Sequence, residues 1–124
     1  VYLSDHGEEV YDYRDLFCRS HGLPLTPEVC KYQFEIPFMI WMSDSYRRNR
    51  PDVAAQVAGS LDRPFSSDDL SHLLLDLAGI RCRWYDPTRS LVGKLFDATR
   101  PRPLLMGFEP AGNYDTIIGR DRKQ

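Results

Sequence analysis

The chain begins with a short apolar stretch that runs directly into a turn-forming sequence. Residues 1–3 are apolar, Ser4 is polar, and Asp5, His6 and Gly7 follow at once. β-Branched and aromatic residues favour strands, whereas Asp and Gly favour turns, so this pattern predicts a strand that finishes at Ser4. In open α/β sheets, ligands bind just outside the carboxyl ends of strands. The polar residues after this strand are therefore the first candidates for a functional site.

Asp5 and His6 carry side chains that bind metal ions. A carboxylate oxygen beside an imidazole nitrogen suits zinc, and a catalytic zinc normally has a third protein ligand and an open position. Adjacent strand residues point to opposite faces, so the two can reach one ion only if the backbone turns, and Gly7 supplies that freedom. Taken alone, the sequence Asp-His-Gly is also typical of an exposed turn.

The segments that follow differ in their patterns. Residues 7–33 are rich in charge, Tyr, Gly and Pro, which predicts a long loop with a possible short helix over 13–19. The stretch "FEIPFMIWMS" at 34–43 predicts a buried strand with Trp41 in the core, although Pro37 leaves part of its backbone unpaired.

Two helices are predicted in the middle of the chain. Pro51 suits a first helical position, and Asp52 suits the first turn of a short helix. Over 66–80, Ser66 and Asp69 have the spacing of a capping box, and Gly79 suits a left-handed C-terminal cap. The apolar stripe of this second helix consists of Leu70, Leu73, Leu74 and Leu77.

From residue 81 onward, repeated prolines and turn signals predict an irregular segment. A short strand is expected at 104–106, and residues 107–124 are expected to form an irregular, charged tail. The order of strands and helices predicts part of an α/β sheet protein, with 1–124 forming a single domain fragment.

Composition excludes some classes of partner. The net charge is −2, so no broad polyanion-binding surface is expected and nucleic acid is not a predicted partner. No apolar run approaches the roughly 20 residues that cross a bilayer. Cys18, Cys30 and Cys82 include no Cys-x-x-Cys pair. Cys18 and Cys30 can form a disulfide in an oxidising compartment or remain free thiols, and the sequence leaves both open.

Four features together resemble the sulfatase and phosphoethanolamine transferase branch of the alkaline phosphatase superfamily. They are "YLSDHGEEVYD" at 2–12, "SHG" at 20–22, "EIPFMIWMS" at 35–43 and the helix at 66–80, in that order. The resemblance spans roughly residues 1–90, and "YDPTRSL" at 85–91 is similar to the transferase-like sulfatase proteins. It implies an α/β fold, namely the C-terminal part of an alkaline-phosphatase-like mixed sheet with flanking helices.

The resemblance also implies roles for three residues. Asp5 and His6 match the paired ligands of zinc or another divalent metal ion, and His21 matches a loop histidine that binds the substrate phosphate or a second metal. The family's nucleophile is a threonine in the transferases and a modified cysteine in true sulfatases. It is expected in upstream segments, so no catalytic residue is assigned here. We expect the chain to be the carboxy-terminal piece of a larger enzyme, inactive without its N-terminal half.

The implied activity is transfer of phosphoethanolamine from a phospholipid donor to a cell-envelope lipid or glycan through a phosphothreonine intermediate. The expected location is the bacterial inner membrane, anchored through upstream segments, with the catalytic domain facing the periplasm. One alternative is a soluble sulfatase or phosphodiesterase that passes its intermediate to water. Another alternative, of a different class, is a non-catalytic binding or assembly module.

Several other residues have competing interpretations. His72 lies beside the apolar stripe, which favours a structural role over a ligand. Glu8 and Glu9 suit either hydrogen bonds to metal-bound groups or a solvated loop. Tyr11 and Tyr13 suit either packing or pocket lining.

A small basic cluster consists of Arg47, Arg48 and Arg50. These arginines can bind anionic lipid headgroups. In a net-acidic chain, however, solvent-exposed positions on the segment that leads to the next helix are favoured. A fragment of a larger sheet is also expected to associate through unpaired strand edges.

Overall fold

A computed structural model describes residues 1–19, 24–106 and 109–120. The chain divides into two compact units. The first combines Val1–Met39 with Pro101–Gln124, and the second is Ile40–Arg100. Short sheets and helices alternate along the chain, which agrees with the predicted α/β class.

The described residues of the first unit form three antiparallel pairs of short strands. Strand β1 (Tyr2–Leu3) pairs with β4 (Phe38–Met39), so that Tyr2 lies opposite Met39. Strands β2 (Glu9–Val10) and β3 (Phe17–Cys18) form a hairpin. Strands β5 (Pro103–Met106) and β6 (Glu109–Asn113) form the third pair, which confirms the strand predicted near 104–106.

Helix α1 (Pro27–Gln33) lies where the sequence analysis predicted a loop. Its N-cap is Thr26, whose hydroxyl accepts a hydrogen bond from the Val29 N–H at 3.3 Å, and Pro27 occupies the first turn. The helix predicted over 13–19 was wrong, because that segment supplies part of the β2–β3 hairpin. The prediction missed α1 because the Thr-Pro helix start is a local signal inside a segment with no sustained periodicity.

The prediction of an irregular tail was also wrong within 109–117, where β6 leads into helix α5 (Tyr114–Ile117). The Arg102 guanidinium donates to the Asp115 carboxylate, with Nε 2.9 Å from Oδ2, and lies over the Tyr114 ring at 4.4 Å. The Tyr114 hydroxyl donates to Glu35 at 2.5 Å. These contacts join residues far apart in sequence, so no local pattern signalled them.

The second unit is helical. It contains α2 (Asp44–Asn49), α3 (Pro51–Ala58) and α4 (Leu70–Ala78), with a 3-10 turn at Ser67–Asp69. The helix predicted after Pro51 is confirmed. Gly79 has φ 71°, and its N–H donates to the carbonyl of Asp76, which confirms the predicted left-handed cap.

The predicted capping box at the start of α4 was wrong. Ser66 makes no side-chain capping bond, and Asp69 instead accepts from Arg89, with Nε 2.6 Å from Oδ1. A charged partner competes effectively for the carboxylate because ionised hydrogen bonds are about twice as strong as neutral ones. The buried face of α4 carries His72, Leu73 and Asp76, so the leucine stripe is only partly buried.

The stretch 34–43 was predicted as one buried strand, but only β4 forms within it. Trp41 was predicted in the core and is 80% exposed, so that prediction was wrong. The stretch cannot continue as a strand because Ser43 already caps α2, accepting from the Tyr46 N–H at 3.1 Å.

Residues 81–102 contain turns without helix or strand, as predicted for that segment. Leu91 and Val92 are nevertheless buried there. The Arg63 guanidinium holds this turn region by donating to the carbonyl oxygens of Leu91 at 2.7 Å and Gly93 at 3.0 Å.

All three cysteines are free thiols. Cys30 is buried on α1, and Cys18 and Cys82 are exposed. Of the two alternatives for Cys18 and Cys30, the structure therefore shows free thiols and not a disulfide.

Candidate metal centre

The backbone bends at Asp5, two residues after the end of β1, and the two predicted ligands lie close together there. Asp5 Oδ2 lies 3.7 Å from His6 Nε2, while Asp5 Oδ1 accepts from the His6 N–H at 3.1 Å. Two ligands of a tetrahedral zinc ion, with bonds near 2.0–2.2 Å, lie about 3.3 Å apart. The observed separation is slightly longer, so the pair fits two neighbouring positions around zinc.

The His6 ring is oriented by its other nitrogen. Nδ1 lies 2.9 Å from the carbonyl oxygen of Gly7, which can only accept, so this hydrogen bond places the proton on Nδ1. In the neutral ring, the lone pair is then on Nε2, the nitrogen 3.7 Å from Asp5 Oδ2. Metal-binding histidines typically donate their second N–H to a carbonyl or carboxylate in this way.

The pair is accessible but incomplete as a metal centre. The Asp5 side chain is 88% exposed and that of His6 is 40% exposed. Within residues 1–19, 24–106 and 109–120, no group of three or more His, Cys, Asp or Glu side chains could hold a metal ion. A zinc centre with three protein ligands therefore requires at least one ligand from beyond those ranges.

Gly7 was predicted to let the backbone turn, but the structure gives a different reason for a glycine. An added Cβ would lie 2.3 Å from the carbonyl oxygen of Tyr32 and 3.1 Å from the carbonyl carbon of Gln33. The Gly7 N–H donates to the Gln33 carbonyl at 3.1 Å. Glycine allows the segment after the ligands to approach the end of α1 this closely.

Glu9 takes neither of the two roles considered for it. Its side chain is 1% exposed, and it accepts from Arg14 Nε at 2.6 Å and from Gln33 Nε2 at 2.5 Å. The hydrogen bond from Arg14, with a further one from Gln33, holds the pKa of Glu9 below its ordinary value against the opposing effect of burial. Glu8 is exposed, which agrees with the solvated alternative.

The aromatic residues of this region pack against one another. The Tyr11 ring lies 5.9 Å from that of Phe17, and the Tyr13 ring stacks on Tyr32 at 5.3 Å. The packing interpretation of the two tyrosines therefore has direct contacts to support it. His21, predicted to bind substrate, lies outside the described residues.

His72 has the structural role that the sequence favoured. It is 7% exposed, and its Nδ1 accepts from the Asp86 N–H at 3.1 Å. Arg47 and Arg48 are exposed in the last turn of α2, where cations favour the helix dipole. These positions agree with a solvated helix end.

The family model described as Sulfatase matches residues 1–80. This range contains both candidate ligands and the elements through α4.

The chain belongs to the sulfatase family.

Curated relatives of this sulfatase-family chain include three phosphoethanolamine transferases. EptC of Escherichia coli (strain K12) and CptA of Salmonella typhimurium (strain LT2) are each 36% identical over 99 residues, which is 80% of this chain and 16% of the relative. EptA of Escherichia coli (strain K12) is 32% identical over 88 residues, which is 68% of this chain and 15% of the relative. The sulfatase-family chain thus spans only a small part of these proteins' length.

A solved structure extends the similarity to nearly the whole chain. The C-terminal periplasmic domain of EcEptC from Escherichia coli matches with a TM-score of 0.77 and 33% identity, over 97% of this chain and 33% of that one. The predicted fold, the C-terminal part of the mixed sheet with flanking helices, is confirmed by this match. Among the described residues of the sulfatase-family chain, no helix has the length and apolar character needed to span a membrane.

The turn at residues 5–7, which carries the candidate ligands Asp5 and His6, is called the ligand turn below. Sequence reasoning missed the residues that support it. Gln33 is 2% exposed and contacts Gly7 and Glu9, yet it lies in the segment predicted as a loop. The one available signal was the Thr26-Pro27 helix start, which places Gln33 at the end of α1.

Proposed function

We propose that this sulfatase-family chain is the carboxy-terminal part of a zinc-dependent phosphoethanolamine transferase. The complete enzyme would move phosphoethanolamine from a phospholipid donor to a lipid or glycan of the cell envelope, at the periplasmic face of the bacterial inner membrane. The observation that carries the proposal is the Asp5–His6 pair, with Asp5 Oδ2 3.7 Å from His6 Nε2 and the other ring nitrogen bonded to the Gly7 carbonyl. The transferase names of its relatives and the periplasmic domain of EcEptC support the substrate class and location.

Each residue of the pair has a defined task. Asp5 and His6 would hold the zinc ion, which acts as a Lewis acid toward the transferring phosphoryl group when bound. The Gly7 carbonyl accepts from His6 Nδ1, which leaves Nε2 as the ring nitrogen that would bind the metal. His21 would bind or protonate an oxygen of the substrate phosphate.

The transfer itself would use a threonine from the upstream part of the enzyme. Its hydroxyl oxygen attacks the phosphorus of the donor and displaces the lipid alcohol, which takes up the hydroxyl proton. The acceptor hydroxyl then attacks the phosphorus of the resulting threonine phosphoethanolamine ester. The bond from phosphorus to the threonine oxygen breaks, and that oxygen takes up the acceptor proton, which restores the threonine. Two such steps replace one difficult displacement.

The test compares ligand variants of the full-length enzyme. Asp5→Asn and His6→Gln are each expected to lower transfer by more than about 100-fold, since a Lewis acid contributes several kcal/mol to such a step. Asp15→Asn removes another exposed charge from the same region and should leave activity unchanged. Zinc content and the mass of envelope lipids or glycans are the measurements. Zinc retained at wild-type affinity by the Asp5→Asn/His6→Gln double variant would contradict the proposal.

The match to the sulfatase family model also supports a second candidate, a hydrolase that uses the same pair. Such an enzyme passes its intermediate to water, so free phosphoethanolamine or sulfate would form without a modified acceptor. Zinc bound by Asp5 and His6 without either product would instead favour a binding or assembly module.

A further inference from the structure

We infer that Gln33 is a positioning residue for the metal ligands Asp5 and His6, acting through Gly7 and Glu9. The inference rests on the proposed metal site and adds to it a residue of another element, the end of α1. Gln33 holds the segment after the ligands in two ways, one through its backbone and one through its side chain.

The backbone connection leads to the His6 ring. The Gln33 carbonyl accepts from the Gly7 N–H at 3.1 Å, and the Gly7 carbonyl accepts from His6 Nδ1 at 2.9 Å. A shift of the Gln33 carbonyl therefore moves Gly7 and, with it, the group that sets the tautomer and rotation of the imidazole. The close approach of Gly7 to Tyr32 leaves little room for such a shift.

The side-chain connection is buried. Gln33 is 2% exposed and donates from Nε2 to Glu9 Oε1, and Glu9 is itself 1% exposed. Arg14 donates from Nε to Glu9 Oε2 at 2.6 Å and from Nη2 to Glu9 Oε1 at 2.5 Å. A buried carboxylate that loses a donor is left with an uncompensated desolvation cost, so this network resists rearrangement.

The two connections hold residues 7 and 9 on either side of the exposed Glu8. The side-chain connection keeps the end of α1 against the hairpin, and the backbone connection transmits that position to His6. Residues that orient metal ligands in this manner typically change metal affinity by 10- to 100-fold when they are replaced.

The experiment replaces the amide of Gln33 in the full-length protein. Gln33→Met keeps a long side chain but cannot donate to Glu9, and we expect about a tenfold or greater loss of zinc affinity. Affinity is measured by competition with a chromophoric chelator. The absorption spectrum of the cobalt-substituted protein is expected to change as well, because it reports ligand geometry.

A matched control separates positioning from general destabilisation. Asp115→Asn weakens another partly buried arginine–carboxylate pair in the same unit. Among the described residues, the hydrogen bonds and ion pair of the Asp115 side chain are with Arg102. We expect this variant to melt at a lower temperature with unchanged zinc affinity and cobalt spectrum. Arg14→Lys, which keeps the charge but not the two-pronged geometry, is a milder second variant and should weaken zinc binding less than Gln33→Met.

The outcomes distinguish this inference from the proposed function. Wild-type zinc affinity in a folded Gln33→Met protein, or equal losses in Gln33→Met and Asp115→Asn, would overturn the positioning role alone. If Gln33→Met does not fold, unchanged zinc affinity and cobalt spectrum in Arg14→Lys would overturn it. Wild-type zinc affinity in the Asp5→Asn/His6→Gln double variant would overturn the metal site and both proposals with it. Intact, Gln33-dependent zinc binding without transfer would overturn the transferase only.

Discussion

At the scale of single residues, the ligand turn depends on atoms of the backbone more than on side-chain packing. His6 is oriented by a carbonyl oxygen, and Gly7 approaches the carbonyls of Tyr32 and Gln33. A glycine is needed here for space, since Gly7 is not one of the described glycines with positive φ, which are Gly79, Gly112 and Gly119. A substitution at Gly7 therefore acts by steric displacement.

The steric role of Gly7 leads to a prediction for Gly7→Ala. The added Cβ would meet the Tyr32 carbonyl oxygen at 2.3 Å, so we expect a loss of about 1–3 kcal/mol in the free energy of unfolding. Gly59→Ala is the matched control, because its Cβ would lie 3.5 Å from the nearest atom, the Ala55 carbonyl oxygen, at φ −81°. Urea denaturation of the full-length variants measures both, and equal stabilities of the two would contradict the steric account.

At the scale of secondary-structure elements, two helix starts that look alike in sequence are stabilised differently. Thr26 caps α1 through its hydroxyl, whereas Ser66 makes no side-chain capping bond before α4. The Ser66–Asp69 spacing suggested a capping box, but Asp69 pairs with Arg89, and a 3-10 turn precedes the helix. Local spacing alone cannot show that a carboxylate has a stronger partner elsewhere.

Replacing each of these two residues by Ala should therefore lower the free energy of unfolding by different amounts. Thr26→Ala removes an acceptor for the Val29 N–H and should cost about 1 kcal/mol of stability. Ser66→Ala should change stability by less than about 0.5 kcal/mol. The free energies of unfolding in urea would compare the two, and a Ser66→Ala loss as large as that of Thr26→Ala would restore the capping-box interpretation.

At the scale of the whole molecule, large apolar side chains remain exposed. In the second unit they include Trp41 at 80%, Leu61 at 84% and Trp84 at 71% exposed. In the first unit, each described sheet consists of two short strands, so every one of these strands is an edge strand of its sheet. Exposed apolar surface and sheet edges are both features through which protein chains associate with one another.

We therefore expect residues 1–124, when expressed alone, to associate as concentration rises. Light scattering should report a mass that grows with concentration. Replacing Trp41 and Leu61 together by Gln should reduce the association, while Asp15→Asn, an exposed polar change, should not. A monomer that persists at high concentration in the unmodified chain would contradict this expectation.

The sequence by itself determined the features that depend on neighbouring residues. Pro51 begins a helix, Gly79 ends one in the left-handed conformation, and the Asp5–His6 pair follows a strand after one intervening residue. Each follows from preferences of one or two residues for a backbone conformation. The four-motif resemblance extended these local features to the family and its fold.

Only the tertiary structure decided which side chains meet. Gln33 reaches Glu9, Tyr114 reaches Glu35, and Asp69 reaches Arg89, each across a gap in sequence that carries no periodic signal. Burial was decided at the same level, since Glu9 became a core residue while Trp41 stayed at the surface. The physical reason is that a side chain's environment depends on the partners that folding brings to it, and hydrogen bonds to buried charges can outweigh local preference.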